Sequence, residues 1–307
     1  MKGLSLCRSY FQSVGLPMLE KEFASDLKRI AAGLVGDGSE CFGFDDEISQ
    51  DHDWGPGFCL WLTPEDHARI GGKLQDAYNA LPSTFQRYGP RQTSEWGNGR
   101  VGVFEIGTFY QRFIGRNQPP ATYDQWLALP ETALAACTNG EVFHDPLGRF
   151  TAFRKALAFY PDDVRLKKIA ARLMSLGQSG QYNVPRCLKR AERFGAHYAL
   201  TKFAADFISA IFLLNRRYMP FYKWMHTAVR DLEIMGRWTY SQVAGLIEPG
   251  DISDKIDRIE RMSTVLIVEL QRQGLTDGKS DFLVDHGPEV QARIIDPGLR
   301  ERNVWVG

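Results

Sequence analysis

Two aspartates one residue apart, Asp51 and Asp53, have the side chains and the spacing that metal binding requires. Just after them, Phe58, Leu60 and Leu62 alternate with Cys59 and Trp61. This alternation has the two-residue period of a β-strand. If that strand begins at or near the aspartates, both carboxylates lie on one face and His52 lies on the other. Neighbouring carboxylates repel each other unless a cation lies between them, and Mg²⁺ bound together with phosphates suits such oxygen ligands.

A Gly-Ser pair, Gly38 and Ser39, precedes the aspartates and follows the apolar run 30–35. Glycine lets the backbone approach a phosphate closely, and serine offers it a hydroxyl and a backbone N–H. The sequence therefore predicts a phosphate site beside a metal site. The alternative is structural, because Gly-Ser is ordinary in a tight turn and an acidic turn need not bind metal.

The order of these motifs resembles the signature of the nucleotidyltransferase superfamily built on the polymerase-β-like fold, in which Gly-Ser, a spacer of about ten residues and Asp-x-Asp follow one another. The string Gly-Ser-Glu, Gly-Phe-Asp-Asp-Glu and Asp-His-Asp-Trp-Gly within residues 38–55 is similar to the DUF4037 branch of it. The resemblance implies that Gly38 and Ser39 hold a triphosphate and that Asp51 and Asp53 hold two metal ions. His52 departs from the superfamily pattern, which usually has an apolar residue there, but no metal ligand is lost.

A third carboxylate from a later strand completes the superfamily site, and Glu105 is the candidate here. Side chains alternate over residues 99–115, which predicts a third strand, and Glu105 lies in its middle among apolar residues. A buried carboxylate without a partner is costly, so a metal shared with Asp51 and Asp53 is the expected partner.

The surrounding elements predict an α+β fold, with a small mixed-sheet nucleotidyltransferase-like domain over residues 1–150. Helix, strand, Gly-Ser turn and second strand are the expected opening order. Thr63 and Pro64 are expected to begin a helix that runs to residue 81. A polar loop over 83–99, the third strand and a late strand over 141–148 follow.

From residue 149 the pattern becomes helical and predicts a C-terminal helical bundle over residues 151–307, with an irregular tail over 275–307. Within the bundle, Lys202, Arg217 and Tyr218 are candidates to bind the nucleotide, the cations through phosphates and the tyrosine by stacking. The alternative is a helix–helix junction, with the aromatic ring in the core and the Lys202 amine reaching solvent.

Composition limits the other classes of function. Lysine plus arginine equals aspartate plus glutamate at 37 each, so there is no general attraction to nucleic acid, and no basic aromatic platform is obvious. Five scattered cysteines indicate reduced thiols in the cytoplasm. No secretory signal or membrane span is expected, and neither a P-loop nor a dinucleotide-binding glycine motif occurs.

Together these features predict a metal-dependent nucleotidyltransferase that uses Mg²⁺ or Mn²⁺. It is expected to transfer a nucleoside monophosphate from an NTP, most simply ATP, to an acceptor hydroxyl. The acceptor is a small molecule or a protein, with RNA disfavoured. The rival hypothesis is a non-catalytic, nucleotide-binding regulatory protein of the same fold. The oligomeric state does not follow from the sequence.

Overall fold

The computed structural model describes residues 1–92, 94–95 and 99–307, so part of the predicted loop over 83–99 lies outside the described residues. The chain forms two compact units. Unit 1 comprises Met1–Pro120 and Leu129–Ala158, and unit 2 comprises Ala121–Ala128 and Phe159–Gly307. The division after residue 158 falls later than the predicted boundary after residue 150, and a short earlier segment joins unit 2.

A four-stranded mixed sheet forms the centre of unit 1, and the predicted α+β class is confirmed. Its spatial order is β3-β2-β1-β4, with β2 and β3 parallel and the other neighbours antiparallel. Every residue of β1 and β2 is buried, as their apolar sequences require. The strands are β1 Ala31–Leu34, β2 Cys59–Leu62, β3 Gly102–Glu105 and β4 Glu141–His144.

Among the described residues of unit 1, seven α-helices surround this sheet. The first two form one continuous helical rod because a π-helical turn, Phe11–Gly15, joins them. The helix predicted after Thr63 is confirmed, and the Thr63 side chain caps it by accepting a hydrogen bond from the Asp66 N–H. The helices are α1 Gly3–Tyr10, α2 Leu16–Glu22, α3 Ser39–Phe42, α4 Pro64–Asn79, α5 Ile106–Ile114, α7 Glu131–Thr138 and α8 Arg149–Ala156.

Aromatic packing fixes two of these helices against the sheet. Trp61 of β2 is fully buried and stacks on Phe150 of α8 with ring centroids 3.7 Å apart. Phe109 of α5 meets the same indole edge-on at 5.3 Å. Aromatic pairs of this kind add to the energy of burial itself, so they position α5 and α8 relative to β2.

The strand predicted over 99–115 is wrong beyond Glu105, because the chain turns there into α5. The local reason is the Glu105 carboxylate, which accepts hydrogen bonds from the N–H groups of Gly107 and Thr108 and so caps the helix. The buried residues of α5 also follow helical rather than strand spacing: Ile106, Gly107, Phe109, Tyr110 and Ile114.

Unit 2 is helical throughout its described elements. The helix predicted over 184–217 is broken at residues 190–192, where Ala191 adopts a left-handed conformation with φ 60°. The π-helical turn Gly177–Asn183 continues the preceding helix. The helices are α6 Tyr123–Leu127, α9 Asp162–Leu176, α10 Val184–Lys189, α11 Arg193–Leu214, α12 Tyr222–Val229, α13 Gly236–Ile247, α14 Ile252–Arg272, α15 Leu283–Ala292 and α16 Pro297–Arg300.

The tail predicted to be irregular over 275–307 instead contains α15 and α16, so that prediction is wrong. Helix α15 packs closely on α9, since a Cβ atom on Gly287 would lie 2.5 Å from the Met174 sulfur. Pro288 lies inside α15 and its neighbourhood is rich in polar residues. Tertiary packing on α9 therefore outweighs a weak local preference for helix.

Helix α11, within the described residues, has the length and apolarity that a membrane span needs, with a mean hydropathy of 1.3. In this structure 67% of that stretch is buried inside the protein. Burial among the helices of unit 2 accounts for its composition, as it does for the core helix of a bundle.

Candidate functional site

The Gly-Ser pair forms the turn that leaves β1. Gly36 has φ 146°, which favours glycine, and Gly38 is extended and precedes the first residue of α3, Ser39. A Cβ atom on Gly38 would lie 2.3 Å from a carboxylate oxygen of the buried Glu40. A side chain at residue 38 would therefore require the Glu40 carboxylate to move.

A narrow cleft of about 10 Å³, roughly the space of one water molecule, borders this turn, and three arginines contribute to its walls. They are Arg91, Arg100 and Arg112, which come from outside the turn, while Asp37 and Glu40 come from the turn itself. Partial desolvation raises the pKa of Asp37 against the opposing charges of Arg100 and Arg112. Guanidinium groups beside an open glycine turn can bind an anion such as a phosphate.

Arg91 connects its own loop to the Gly-Ser turn and to residues 53–55 through hydrogen bonds. Its guanidinium donates hydrogen bonds to the Glu40 carboxylate at 3.0 Å, to the Asp53 carbonyl at 2.8 Å and to the Gly55 carbonyl at 3.2 Å. Both side chains of the Arg91–Glu40 pair are buried, at 7% and 3% exposure. Burial has the largest single effect and lowers the pKa of Arg91, but the charge and hydrogen bond of Glu40, together with the Cys7 and Cys41 thiols, outweigh burial and raise the pKa. Arg91 therefore remains a cation and holds its loop against the turn.

Asp53 points into the protein and is hydrogen-bonded there. Its carboxylate accepts hydrogen bonds from the Ser94 N–H at 2.9 Å and the Ser94 hydroxyl at 2.5 Å, and Arg100 lies 3.6 Å away. Burial would raise the pKa of Asp53, but the two bonds from Ser94 and the charge of Arg100 outweigh it and lower the pKa. These contacts therefore favour the ionised form of Asp53.

Asp51 points in a different direction, toward solvent. Its carboxylate is 63% exposed and lies 2.7 Å from the ring Nδ1 of His52. It borders a second, more open cleft of about 420 Å³, whose walls include Trp54, Arg87 and Tyr88. Asp51 therefore lines this second cleft, whereas Asp53 lines neither of the two clefts.

The prediction that the strand begins at the aspartates and places both on one face is wrong. A 3₁₀ turn, Ile48–Gln50, precedes them, and β2 begins only at Cys59. Asp53 has φ 52°, a left-handed conformation that no strand residue adopts. The hydrogen bonds from Arg91 and Ser94 to this residue stabilise that turn in place of a strand extension.

Glu105 is the last residue of β3 rather than in the middle of a strand, and its carboxylate is hydrogen-bonded locally. One oxygen accepts a hydrogen bond from the Gly107 N–H at 2.7 Å, and the other accepts two from Thr108, from its N–H at 2.6 Å and from its hydroxyl at 2.8 Å. The partner predicted for this carboxylate was a metal ion, and in the structure it is the N-terminus of α5.

Replacing Glu105 with alanine is expected to lower the free energy of unfolding by about 1 kcal/mol, since a capping side chain typically contributes that much. Glu105→Asp, also an effective capping residue, is expected to recover most of the loss. Chemical denaturation of both variants in metal-free buffer measures the effect. An unchanged stability of Glu105→Ala would show that capping is not the main role of this carboxylate.

The three predicted metal ligands do not form one site in this arrangement. Among the described residues, no group of three or more His, Cys, Asp or Glu side chains is placed to hold a metal ion. Asp53 is bonded to Ser94, Asp51 faces solvent beside His52, and Glu105 caps α5. These residues do not fit a shared metal ion as they stand, and metal binding by them stays a prediction.

The three nucleotide-binding candidates in unit 2 have separate surroundings. Lys202 pairs with Asp206, one helical turn away, at 2.9 Å and remains 44% exposed on its side chain. Arg217 is exposed, whereas Tyr218 is buried between Phe159 and Tyr160. The surroundings of Lys202 and Tyr218 match the structural alternative, and the ligand roles of all three stay predictions.

Sequence reasoning missed the arginines of the Gly-Ser cleft. Arg91 and Arg100 lie in or beside the polar segment predicted to be a loop, where nothing local marks either residue as part of a site. Asp37 and Glu40 flank the Gly-Ser pair in the sequence, and this proximity was a signal that could have identified them.

Comparison with known proteins adds a family match. The model of a domain of unknown function, DUF4037, matches residues 126–225. Among solved structures, a nucleotidyltransferase-like protein from Exiguobacterium sibiricum 255-15 is 10% identical over 87% of this chain and 76% of that protein, with a TM-score of 0.34. No curated protein matches the chain. The DUF4037 resemblance predicted from residues 38–55 is thus confirmed by a family match in a different part of the chain, residues 126–225.

Proposed function

We propose that this protein is a nucleotidyltransferase. It transfers a nucleoside monophosphate from an NTP, most simply ATP, to an acceptor hydroxyl on a small molecule or a protein, and pyrophosphate leaves. Mg²⁺ or Mn²⁺ is the proposed cofactor, and the cytoplasm is the proposed compartment, since all five cysteines are free thiols. The proposal rests on the motif order of residues 38–55 and on the cleft that the Gly-Ser turn borders.

The arginine-lined Gly-Ser cleft is the observation that carries the proposal. Arg112 stands over the rings of Phe104 and Phe113 at 5.4 and 5.9 Å, and it donates a hydrogen bond to the Gly99 carbonyl at 2.6 Å. These contacts orient the Arg112 side chain, which lines the same cleft as Gly38. Arginine matches the geometry of phosphate oxygens through paired N–H groups, so a phosphate group of the NTP at the mouth of this narrow cleft is the ligand that this chemistry favours.

A non-catalytic nucleotide-binding regulator is the second candidate, and one observation favours it. Asp51, Asp53 and Glu105 are engaged by separate partners, whereas transfer chemistry in the resembling superfamily uses three converging acids. In this candidate the Arg100 and Arg112 side chains bind the nucleotide and no bond is broken.

Label transfer separates the two candidates. The protein is incubated with α-labelled NTPs and Mg²⁺ or Mn²⁺, with and without cell extract, beside Asp53→Asn and the matched surface variant Asp231→Asn. Asp231 carries a 67% exposed carboxylate in unit 2. Catalysis predicts label on an acceptor with wild type and Asp231→Asn, and a loss of at least about tenfold with Asp53→Asn. Binding without label transfer to any acceptor would contradict catalysis and support the regulator.

A further inference from the structure

Unit 2 presents an exposed surface where α10 ends and α11 begins. A three-residue turn, 190–192, joins the two helices, and Ala191 at its centre has φ 60°. The N–H groups of Ala191 and Glu192 donate hydrogen bonds to the carbonyls of Leu188 and Cys187, both at 2.9 Å. A Cβ atom on Gly195 would lie 3.2 Å from the Cys187 sulfur, so the first turn of α11 packs against α10. Exposed side chains of both helix ends lie around this junction.

Two aromatic side chains near this junction are exposed to solvent. Phe194 is 80% exposed and Tyr198 is 65% exposed. They lie one helical turn apart, with ring centroids 6.4 Å apart and planes inclined by only 21°. Nearly parallel, solvent-facing rings are available to stack on planar ligands, and exposed aromatic residues grouped in this way indicate a binding surface.

Positive charge is concentrated in the same stretch of the chain as the rings. Over residues 182–198 the chain has four Lys or Arg residues and one acidic residue, Glu192, which gives 4 − 1 = +3 in a chain whose total charge is zero. All four cations are exposed, and within the described part of the chain none of them forms an ion pair. We call these cations and the two rings the basic-aromatic platform: Arg186, Lys189, Arg190, Arg193, Phe194 and Tyr198.

We propose that the basic-aromatic platform binds single-stranded nucleic acid. Cations that track a phosphate backbone, combined with aromatic rings on which successive bases stack, are the recurring chemistry of such sites. A single strand is favoured over a duplex because its bases can leave their neighbours and stack on Phe194 and Tyr198. The neutral total charge argued against nucleic acid only for the protein as a whole, and the platform is a local exception.

This proposal goes beyond the nucleotidyl transfer proposed for the Gly-Ser cleft and does not depend on it. The platform residues all belong to unit 2, whereas the residues of that cleft belong to unit 1. Loss of nucleotide binding in the cleft would leave the platform unaffected.

Fluorescence anisotropy with the full chain tests the platform. The probes are labelled RNA and DNA single strands of about 16 nucleotides, which spans the site size of one typical binding module, and the matching duplexes. Single strands are expected to bind more tightly than duplexes. The RNA and DNA probes show which sugar is preferred.

Two paired variants separate stacking from charge. Phe194→Ala/Tyr198→Ala is expected to weaken binding by at least about fivefold, because each stacked base contributes through its ring. Arg190→Gln/Arg193→Gln is expected to reduce the salt slope of log K by about 1.4, because each phosphate that a cation neutralises on a single strand contributes about 0.7. The matched controls, Trp305→Ala for an exposed ring and Arg237→Gln/Arg261→Gln for exposed arginines of unit 2, are expected to bind like wild type.

Three results would overturn the proposal. They are the absence of single-strand binding at low salt, equal affinity of the platform variants and wild type, and binding to vesicles with anionic lipids but not to single strands. Because all the substituted side chains are exposed, the variants are expected to unfold at the wild-type temperature, which thermal unfolding confirms before the binding measurements are compared.

Discussion

Replacing Arg91 with methionine is expected to lower the free energy of unfolding by about 3–5 kcal/mol, since it leaves the Glu40 carboxylate buried without its partner. The same change removes the hydrogen bonds to the Asp53 and Gly55 carbonyls. Denaturant unfolding, followed by circular dichroism, measures the loss. Arg230→Met, which breaks an exposed pair with Asp231, is the matched control and should cost no more than about 1 kcal/mol.

A second substitution identifies the cause of that loss. If the unpaired Glu40 charge is responsible, Arg91→Met/Glu40→Gln is expected to be more stable than Arg91→Met alone, with a coupling of about 1–3 kcal/mol. If Arg91→Met lowers the free energy of unfolding no more than Arg230→Met does, the result would contradict the role of Arg91 in holding its loop against the Gly-Ser turn.

Replacing Gly140 with alanine is expected to destabilise unit 1 by about 3 kcal/mol or more. Gly140 has φ 62°, and a Cβ atom there would lie 1.9 Å from the carbonyl oxygen of Leu34, the last residue of β1. Backbone has to move to remove such a contact, and the left-handed conformation adds strain for alanine. The backbone of Leu34 that has to move leads directly into Gly36 and the Gly-Ser turn. The affinity for ATP is therefore expected to fall as well.

Gly148→Ala is the control for Gly140→Ala. Gly148 has a similar φ of 66°, but a Cβ atom there would meet no other atom within 4 Å, so this variant tests the backbone conformation alone. Its expected cost is about 1 kcal/mol. Thermal and denaturant unfolding of the two variants give the difference, and equal losses would show that contact with Leu34 is unimportant.

The sequence predicts the elements of unit 1 well where local chemistry determines them. Thr63 and Pro64 mark the start of α4, and the buried strands β1 and β2 follow from their apolar runs. Prediction fails where a side chain has a partner far along the chain. The conformation of Asp53 depends on hydrogen bonds from Arg91 and Ser94, about 40 residues later, and no local pattern reveals them.

The segment around Glu105 shows a second limit. Alternation over residues 101–105 is typical of a strand, and β3 does form there. This alternation cannot show that the chain changes from strand to helix after Glu105, because Ile106 fits both a strand and the apolar face of a helix. The carboxylate expected to bind a metal ion serves at this junction as the cap of α5.

Titration of Mg·ATP into the protein by calorimetry is the most direct test that the arginine-lined Gly-Ser cleft binds a nucleotide. Wild type is compared with Arg112→Gln, which removes the charge, and with Arg112→Lys, which keeps it. The account predicts binding to wild type, an affinity lower by about tenfold or more in Arg112→Gln, and a smaller loss in Arg112→Lys. No binding to wild type, or the same affinity in Arg112→Gln, would contradict the account.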